Sequence, residues 1–366
     1  MKLLVVKVGT TLVSSSTDFL DTAKMRPIVE DISGLMKRGI KVILVSSGAI
    51  GAGMGVLGLK VRPKLLPQKQ AAAAIGQSKL MHFYKELFNA HDLRVAQILL
   101  TKDDLDERAK YLNARNTLST LLEYKNIVPI VNENDTVAVD EIKFGDNDTL
   151  SAIVASKMQA DLLVILSNVD GFYDCDPRTN AVPKLIEEVK DISADLMKMC
   201  GDASAETSVG GMAAKVEAAR IATLSGIGMV LANGERKHVL RDIFTGSCPC
   251  TYFSPRREAI SGRKRWIAFG SAPHGSIKID AGAKRALLED GRSLLPSGVL
   301  GVTGKFAVGD TVSIIDEKEK EIARGLANYS AGEVQKIKGF RSDKIAELLG
   351  HKDYDEVVHR DNLVVL

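Results

Sequence analysis

Cysteines are few, and they are not arranged for a shared structural role. The chain has four in 366 residues, at Cys175, Cys200, Cys248 and Cys250. A disulfide-stabilised secreted domain is denser in cysteine, and a zinc site would need a second Cys or His pair at ligand spacing to Cys248 and Cys250. These absences favour ordinary thiols in a reducing compartment.

Long apolar segments and a charge excess of one sign are absent as well. The first strand-like run, residues 3–8, is interrupted by Lys7 and has no small-residue cleavage site, which argues against a secretory signal peptide. No run reaches the roughly 20 apolar residues that a membrane helix needs. The formal net charge of +3 gives no reason to expect an obligate nucleic-acid protein. We therefore expect a cytoplasmic protein without membrane association.

An alternation of short apolar runs and helical segments fills the first two thirds of the chain. The apolar runs are rich in Val, Ile and Leu, as expected for strands buried in a parallel sheet. They lie at residues 3–8, 42–45, 95–100, 127–131, 162–166 and 229–231. Helical spacing recurs at residues 25–38, 68–89, 108–125, 149–158 and 210–224. This pattern predicts an α/β fold, a doubly wound and mainly parallel sheet sandwiched between helices. Pro129 makes the pairing of its own strand harder to predict, because proline has no N–H.

The composition changes near residue 255, and the chain is long enough for two domains. Five basic residues between 255 and 265 stand against one acid, which is typical of an exposed linker. Short strand-like runs separated by Gly, Pro and Asp follow at 276–279, 298–302, 311–315 and 321–325. Helical stretches lie at 281–289 and 342–349, and a last apolar run lies at 362–366. We expect a larger α/β domain over 1–256, a basic linker over 257–273 and a smaller, mostly β domain over 274–366.

Two lysines stand at positions that could bind an anionic group such as phosphate. Lys7 lies on the first apolar strand, two residues before Gly9, and a buried ammonium needs an anionic partner. Lys215 follows Gly210 and Gly211 at the start of a helical segment, where free N–H groups and the helix dipole favour phosphate. The plainer alternatives are a lysine stem lying along apolar surface and a solvent-facing lysine after a glycine hinge.

Small and polar residues follow two other predicted strands. Residues 46–53, Ser-Ser-Gly-Ala-Ile-Gly-Ala-Gly, suit either an anion cradle at a helix start or a tight turn. They match neither a Walker loop nor a dinucleotide fingerprint. Residues 132–135, Asn-Glu-Asn-Asp, could bind the amine and carboxylate of an amino acid, or form an Asx-rich turn.

A further motif, Gly145-Asp146-Asn147-Asp148, precedes the helical segment at 149–158. Its acids can cap that helix. Two acids around an asparagine exceed what capping requires. The sequence therefore indicates that Asp148 lies at the site, where it could hold lysine side chains in place.

Taken in this order, the motifs resemble those of the amino acid kinase family, and more narrowly its gamma-glutamyl kinase branch. The matching segments are residues 5–10, 47–50, 111–115, 132–135, 145–148 and 210–215. The C-terminal part, from residues 264–267 to 358–361, is similar to the PUA domain that many members carry. The resemblance covers almost the whole chain.

The resemblance implies transfer of the γ-phosphoryl group of ATP to the side-chain carboxylate of L-glutamate. The products are L-glutamyl 5-phosphate and ADP, the first step towards proline, with Mg²⁺ bridging phosphate oxygens and no protein residue assigned as a metal ligand. Lys7 and Lys215 would bind the ATP phosphates, with Asp148 orienting both. Ser47, Asp135 and Asn147 would bind glutamate. The nucleotide site would also be lined by Ser167, Asn168, Val209, Gly210, Gly211, Met212, Ala213, Ala214 and Lys215. Asn168 stands where members often carry an acid, and Val209 replaces a threonine seen in some relatives.

This chemistry suits the residue types, because a glutamate side chain is already ionised near neutral pH and needs no general base. Catalysis then reduces to positioning and to neutralising the transferring phosphoryl group. A homo-oligomer and inhibition by proline are expected from the same resemblance. Two alternatives stay open: a kinase of the same fold for aspartate, carbamate, acetylglutamate or a nucleoside monophosphate, and an RNA-binding protein with the first domain as scaffold. The small net charge and the intact lysine–aspartate set disfavour RNA binding.

Overall fold

The computed structural model describes residues 1–14, 20–138, 147–175, 183–192, 196, 211–256, 264, 267–268 and 273–366. The chain divides into two compact units, Met1–Ala259 and Ile260–Leu366. The predicted linker at 257–273 lies almost wholly outside the described residues. Each unit has a hydrophobic core of its own.

The first unit is built on a sheet of eight strands. The strands of this unit are β1 (Leu3–Val8), β2 (Lys41–Ser46), β3 (Arg94–Leu100), β4 (Ile127–Glu133), β5 (Leu162–Ser167), β6 (Phe172–Tyr173), β7 (Leu185–Ile186), β8 (Glu188–Val189), β9 (Gly228–Asn233) and β10 (Cys250–Phe253). The order in the large sheet is β3-β4-β2-β1-β5-β9-β10-β8, and β6 pairs with β7 separately. All neighbours in the large sheet are parallel except β9 and β10. The prediction of a mainly parallel α/β sheet is confirmed.

Pro129 lies inside this sheet rather than at its edge. It stands opposite Ala96 in the β3–β4 pairing, whereas the recorded pairing of β4 with β2 starts one residue later, at Ile130. Because proline cannot donate a ladder hydrogen bond, β4 loses a donor at this point. The sheet tolerates this proline because the pairing of β4 with β2 begins after it, at Ile130.

Helices cover both faces of the large sheet. Those of the first unit are α1 (Thr22–Lys37), α2 (Ala49–Leu57), α3 (Leu66–Asn89), α4 (Lys102–Asp106), α5 (Arg108–Leu121), α6 (Asn147–Met158), α7 (Met212–Leu224) and α8 (Val239–Thr245). Leu4 and Val6 of β1 pack towards α1 and the second half of α3. Val5 and Lys7 alternate to the other face, where α6 and α7 lie. The run is therefore apolar on both sides except at Lys7.

Glycines bring α2 and α3 into backbone contact. A Cβ atom on Gly53 of α2 would lie 1.8 Å from the carbonyl oxygen of Ala72, and one on Gly76 of α3 would lie 1.8 Å from that of Ala49. Gly48, which precedes α2, has a φ of 108°, and a side chain there would meet Val13. The glycines that follow β2 thus form a tight turn and a close helix crossing, the plainer of the two sequence interpretations.

Substitution of Gly76 tests this crossing. Gly76→Ala should lower the free energy of unfolding by about 3 kcal/mol or more, because a methyl group would overlap a backbone carbonyl that cannot rotate away. Gly34→Ala is the matched control, since Gly34 lies within α1 and its added Cβ would meet nothing within 4 Å. The control should be more stable than the parent by roughly 0.5–1 kcal/mol, because alanine favours a helix. Thermal and urea unfolding measure both; equal stability of the two variants would contradict the crossing.

The second unit is a mixed five-stranded sheet with short helices. The strands are β11 (Gly275–Ile279), β12 (Val299–Gly304), β13 (Thr311–Ile315), β14 (Glu321–Leu326) and β15 (Leu363–Val365), in the order β12-β11-β13-β14-β15. Only β11 and β13 pair in parallel. The helices are α9 (Ala281–Leu288), α10 (Ala331–Ile337) and α11 (Ile345–Leu349). The expectation of a mostly β second domain agrees with this sheet.

One helix of this unit escaped the sequence analysis. Helix α10 begins at a capping box, in which Ser330 and Glu333 each bond to the other's backbone or side chain. Ser-x-x-Glu followed by apolar residues is a known signal for the start of a helix, and this segment contains it. The predicted helix at 342–349 is instead a 3₁₀ turn, Ser342–Lys344, followed by α11.

Candidate active site

Polar side chains gather where the central parallel strands end. Lys7 is the last residue but one of β1, Ser46 ends β2, Asn132 lies near the end of β4 and Ser167 ends β5. In a parallel sheet these carboxyl ends meet at one edge, where α/β proteins bind ligands. The register agrees, because Lys7 stands beside Val45 of β2 and Ile165 of β5.

Asp148 joins the two lysines predicted to bind phosphate. One of its carboxylate oxygens forms an ion pair with Lys7, and the other accepts from Lys215 Nζ at 3.1 Å. The three side chains come from β1 and from the first turns of α6 and α7. Lys7 is 5% exposed, Lys215 is 7% exposed and Asp148 is fully buried. The structure therefore brings together two lysines that lie more than 200 positions apart in the sequence, and places the acid between them.

Lys7 and Lys215 share the carboxylate of Asp148. Burial by itself would raise the pKa of Asp148, but Coulombic attraction and hydrogen bonds from Lys7 and Lys215 lower it below its ordinary value. Asp148 is therefore ionised at neutral pH and neutralises one of the two ammonium groups. Two ammonium groups this close together also attract a further anion. This edge of the sheet is therefore suited to a phosphate.

Asn147, next to Asp148, faces the end of β2. Its Nδ2 group is shared by three acceptors: Ser46 O at 3.1 Å, Ser47 Oγ at 2.9 Å and Asn132 Oδ1 at 2.8 Å. Two of the three residues predicted to bind an amino acid, Ser47 and Asn147, are thus in direct contact. The third, Asp135, lies half-buried in the turn after β4, and no described hydrogen bond joins it to the other two.

The segments predicted to hold a nucleotide lie at the ends of β5 and at the start of α7. Ser167 is buried and Asn168 is exposed, with Ser167 Oγ 3.4 Å from Asn168 Oδ1. Gly211 caps α7, and the following Met212, Ala213 and Ala214 form its first turn. Val209 and Gly210 lie outside the described residues.

A comparison with family models matches residues 2–233 to the amino acid kinase family and residues 275–349 to the PUA domain. The first match spans more than half of the chain. The chain belongs to the amino acid kinase family.

Curated relatives within the amino acid kinase family match along nearly the whole chain. Glutamate 5-kinase from Thermoanaerobacter sp. (strain X514) is 50% identical over 363 residues, which cover 99% of this chain and 97% of the relative. Glutamate 5-kinase from Syntrophus aciditrophicus (strain SB) is 46% identical over 366 residues, which cover 100% of this chain and 94% of the relative. Both relatives therefore match this chain along both of its units.

A solved amino acid kinase structure agrees with the fold. Carbamate kinase from Giardia lamblia bound to AMP-PNP has a TM-score of 0.50 and 18% identity, over 70% of this chain and 99% of that chain. At that identity the likeness concerns the fold alone.

Two polar residues of the amino acid kinase site were missed by the sequence analysis. Gln77 lies on α3, 8% exposed, and its Oε1 accepts from Asn132 Nδ2 at 2.9 Å. Tyr84, seven positions further along the same helix, is 1% exposed, and its hydroxyl lies 2.8 Å from Ser46 Oγ. A spacing of seven puts both on one face of the helix. Polar residues on a face that is otherwise apolar were the available signal.

Neither a membrane span nor a metal cluster is found in the described part of the chain. None of its helices combines the length and apolar character needed to cross a bilayer. No group of three His, Cys, Asp or Glu side chains among the described residues is placed to hold a metal ion. Asp148, the buried acid of the kinase site, is bonded to two lysines instead.

Proposed function

We propose that this chain is an ATP-dependent kinase that phosphorylates the side-chain carboxylate of L-glutamate. The products are L-glutamyl 5-phosphate and ADP, the first step of proline biosynthesis. The observation that carries the proposal is the buried pair of lysines, from β1 and α7, held by one aspartate at the carboxyl edge of the sheet. The relatives that match along nearly the whole chain suggest the acceptor, since each is a glutamate 5-kinase.

Phosphoryl transfer between two anions needs cations more than it needs a base. The carboxylate of glutamate, with an ordinary pKa of about 4.3, is already ionised near neutral pH and can attack phosphorus directly. Negative charge is spread over the transferring group and builds on the leaving ADP oxygen. Lys7 and Lys215 approach from different elements, so they can neutralise both regions at once. Asp148 holds the two ammonium groups together without neutralising both.

The acceptor would lie beside Asn147 and Ser47. These side chains bond to each other next to the lysine pair, since Asn147 immediately precedes Asp148. Asp135, in the turn after β4, would pair with the α-ammonium of glutamate. The carboxylate to be phosphorylated would then point towards the lysines, which brings the attacking oxygen and the γ-phosphorus together.

The nucleotide would lie across the ends of β5 and β9, with its phosphates at the start of α7. This helix has 13 residues, and its unpaired N–H groups and positive dipole end favour phosphate. Ser167 and Asn168, together with the segment from Val209 to Lys215, would line the nucleotide site. Lys215 in the first turn is unfavourable for an isolated helix but favourable beside a bound phosphate.

Mg²⁺ fits this site only as a partner of the phosphates. Asp148 uses both carboxylate oxygens on lysines, and the described residues provide no cluster of protein ligands. A magnesium ion commonly enters a kinase on substrate phosphates and keeps several waters. There it would supply additional neutralisation of phosphate charge, while the protein's part is to place the two lysines.

Three further expectations belong to the same proposal and rest on the family resemblance. We propose a homo-oligomer, inhibition by proline and a cytoplasmic location. RNA binding by the second unit is disfavoured by the small net charge of the chain. Binding of RNA to the full chain with a steep loss of affinity at higher salt would count against this last point.

The acceptor is tested by measuring ADP release with L-glutamate, N-acetyl-L-glutamate, L-aspartate, carbamate and UMP at equal concentration. Only glutamate should give rapid turnover, and hydroxylamine should trap the product as a hydroxamate because an acyl phosphate reacts with it. ADP release with another member of the panel and not with glutamate would overturn the assignment within the fold. No ADP release with any of them would overturn the kinase proposal itself.

A further inference from the structure

A chain of buried amides runs behind the proposed acceptor site. Gln77 Oε1 accepts from Asn132 Nδ2 at 2.9 Å, and Asn132 Oδ1 accepts from Asn147 Nδ2 at 2.8 Å. The chain joins α3 to β4 and β4 to α6. It ends on Ser46 O and Ser47 Oγ.

Two backbone groups fix the direction of every amide in this chain. The carbonyl oxygen of Ser46 can only accept, so Asn147 must present its NH₂ group. The backbone N–H of Glu133 can only donate, and it bonds to Asn132 Oδ1 at 2.9 Å. Asn132 must therefore turn its NH₂ group towards Gln77, and Gln77 must accept this hydrogen bond through its Oε1 atom. If the oxygen and the nitrogen of any one amide were exchanged, two donors or two acceptors would face each other and a hydrogen bond would be lost.

This arrangement leaves two buried atoms without a partner among the described residues, Gln77 Nε2 and Asn147 Oδ1. Buried polar atoms are nearly always paired, so an unpaired donor and acceptor beside a ligand site point to groups on the ligand. Ionised L-glutamate has one hydrogen-bond donor, its α-ammonium group, and two carboxylates that can only accept. An amide oxygen on Asn147 can therefore match only the ammonium.

Close packing holds the backbone at Gln77 in place, so its side chain can influence the position of Asn147 without contacting it. It follows Gly76, whose Cα lies against the backbone of α2, so α3 cannot move towards or away from the turn at Ser47 without a clash or a gap. Asn132 lies on a strand that pairs with both neighbours. The position of the Gln77 amide therefore affects the position of Asn132, and through Asn132 that of Asn147.

We propose that Gln77 is a positioning residue for the amino-acid acceptor. By accepting from Asn132, it holds in place the side chain that accepts from Asn147, whose amide oxygen is turned to the acceptor's ammonium group. The inference rests on the proposed function, because the acceptor is an amino acid with a free α-amine. Gln77 does not contact phosphate, so its loss should weaken acceptor binding and leave ATP binding alone.

The test compares three variants of the full chain in steady-state kinetics. Gln77→Met keeps the length of the side chain but removes both amide atoms, and it should raise KM for glutamate on the order of 10-fold to 100-fold with KM for ATP unchanged. Gln68→Met makes the same chemical change at an exposed position of the same helix. This control should stay within about twofold of the parent for both substrates, as surface substitutions usually do.

Gln77→Glu separates positioning from packing. As a neutral acid it accepts from Asn132 through its carbonyl oxygen and carries a donor where Nε2 was, so it should rescue glutamate binding at low pH. Once it ionises, it has no donor and repels the anionic acceptor. Burial at this position should raise the pKa of the new carboxyl group, so KM for glutamate of this variant should rise as the pH passes through that raised pKa, while the parent's KM changes less.

The outcomes distinguish this inference from the proposed function. If the parent turns over glutamate but Gln77→Met stays within threefold of it, or loses glutamate and ATP binding equally, positioning by Gln77 is wrong and the function stands. If Gln77→Met does not fold, a KM for glutamate in Gln77→Glu that stays tenfold or more above the parent's at low pH overturns the inference by itself. If the parent releases no ADP with glutamate, the proposed function fails, and the inference fails with it.

Discussion

Replacing Lys215 or Lys7 with alanine is expected to lower kcat for ADP formation by about 10³-fold. Each ammonium group is buried and aimed at the place where phosphate charge develops, and removal of one such preorganised group typically costs 10²-fold to 10³-fold or more. Folding should suffer less, because each substitution leaves Asp148 with its other lysine. Initial rates at saturating ATP and glutamate, with circular dichroism of both variants, measure the two effects.

Lys85→Ala is the control for this pair, since Lys85 is exposed on α3. It should keep kcat within about twofold, as a surface substitution far from a site usually does. Turnover within tenfold of the parent in both Lys7→Ala and Lys215→Ala would show that phosphate charge is neutralised elsewhere.

Replacing Asp148 with asparagine should affect both activity and stability. The variant keeps the size of the side chain but removes the buried carboxylate that pairs with both Lys7 and Lys215. Loss of one partner from a buried ionic group costs about 3–5 kcal/mol. Thermal and urea unfolding at pH 7 should show a loss of that size, and kcat should fall because the lysines repel each other.

The pH dependence gives this loss a distinct signature. Burial raises the pKa of Asp148 and the lysines lower it further than burial raises it, so the folded-state value lies below the unfolded one. A carboxyl group of this kind stabilises the fold above its unfolded pKa, and the contribution is lost as the pH falls through the folded pKa. The difference in unfolding free energy between parent and Asp148→Asn should therefore be largest near neutral pH and shrink in acid.

ATP should partly replace the missing carboxylate. Its phosphates provide an anion in place of the Asp148 carboxylate, so the rise in Tm on adding ATP should be larger in Asp148→Asn than in the parent. Asp103→Asn, at an exposed position in the first turn of α4, should change stability by no more than about 0.5 kcal/mol. A pH-independent stability difference, or an equal response to ATP, would mean that Asp148 does not balance the lysines.

Both the sheet and the lysine–aspartate set could be predicted from the sequence, because both depend on local patterns of apolar and charged residues. A strand buried on both faces must be apolar throughout, so a charge within it, as at Lys7, is conspicuous and demands a partner. The helix starts at Asp148 and Lys215 carry polar residues that capping does not explain. Alternation of strands and helices then puts such residues at one edge of the sheet.

Gln77 could not be assigned in this way. The periodicity of α3 shows which face is buried, but not which strand end that face meets. Its partner, Asn132, is 55 positions away and the hydrogen bond depends on how closely α3 approaches α2. Helix crossing distances arise from tertiary packing and are not encoded in a local pattern.

The most direct test of the two-lysine site is a crystal structure with L-glutamate, Mg²⁺ and a non-hydrolysable ATP analogue. The distances from Lys7 Nζ and Lys215 Nζ to oxygens of the terminal phosphate are the quantities to measure. We predict that both fall within hydrogen-bonding range, about 2.7–3.2 Å, with Asp148 still bonded to the lysines. A terminal phosphate bound in another cleft, beyond the reach of both ammonium groups, would contradict the proposed site.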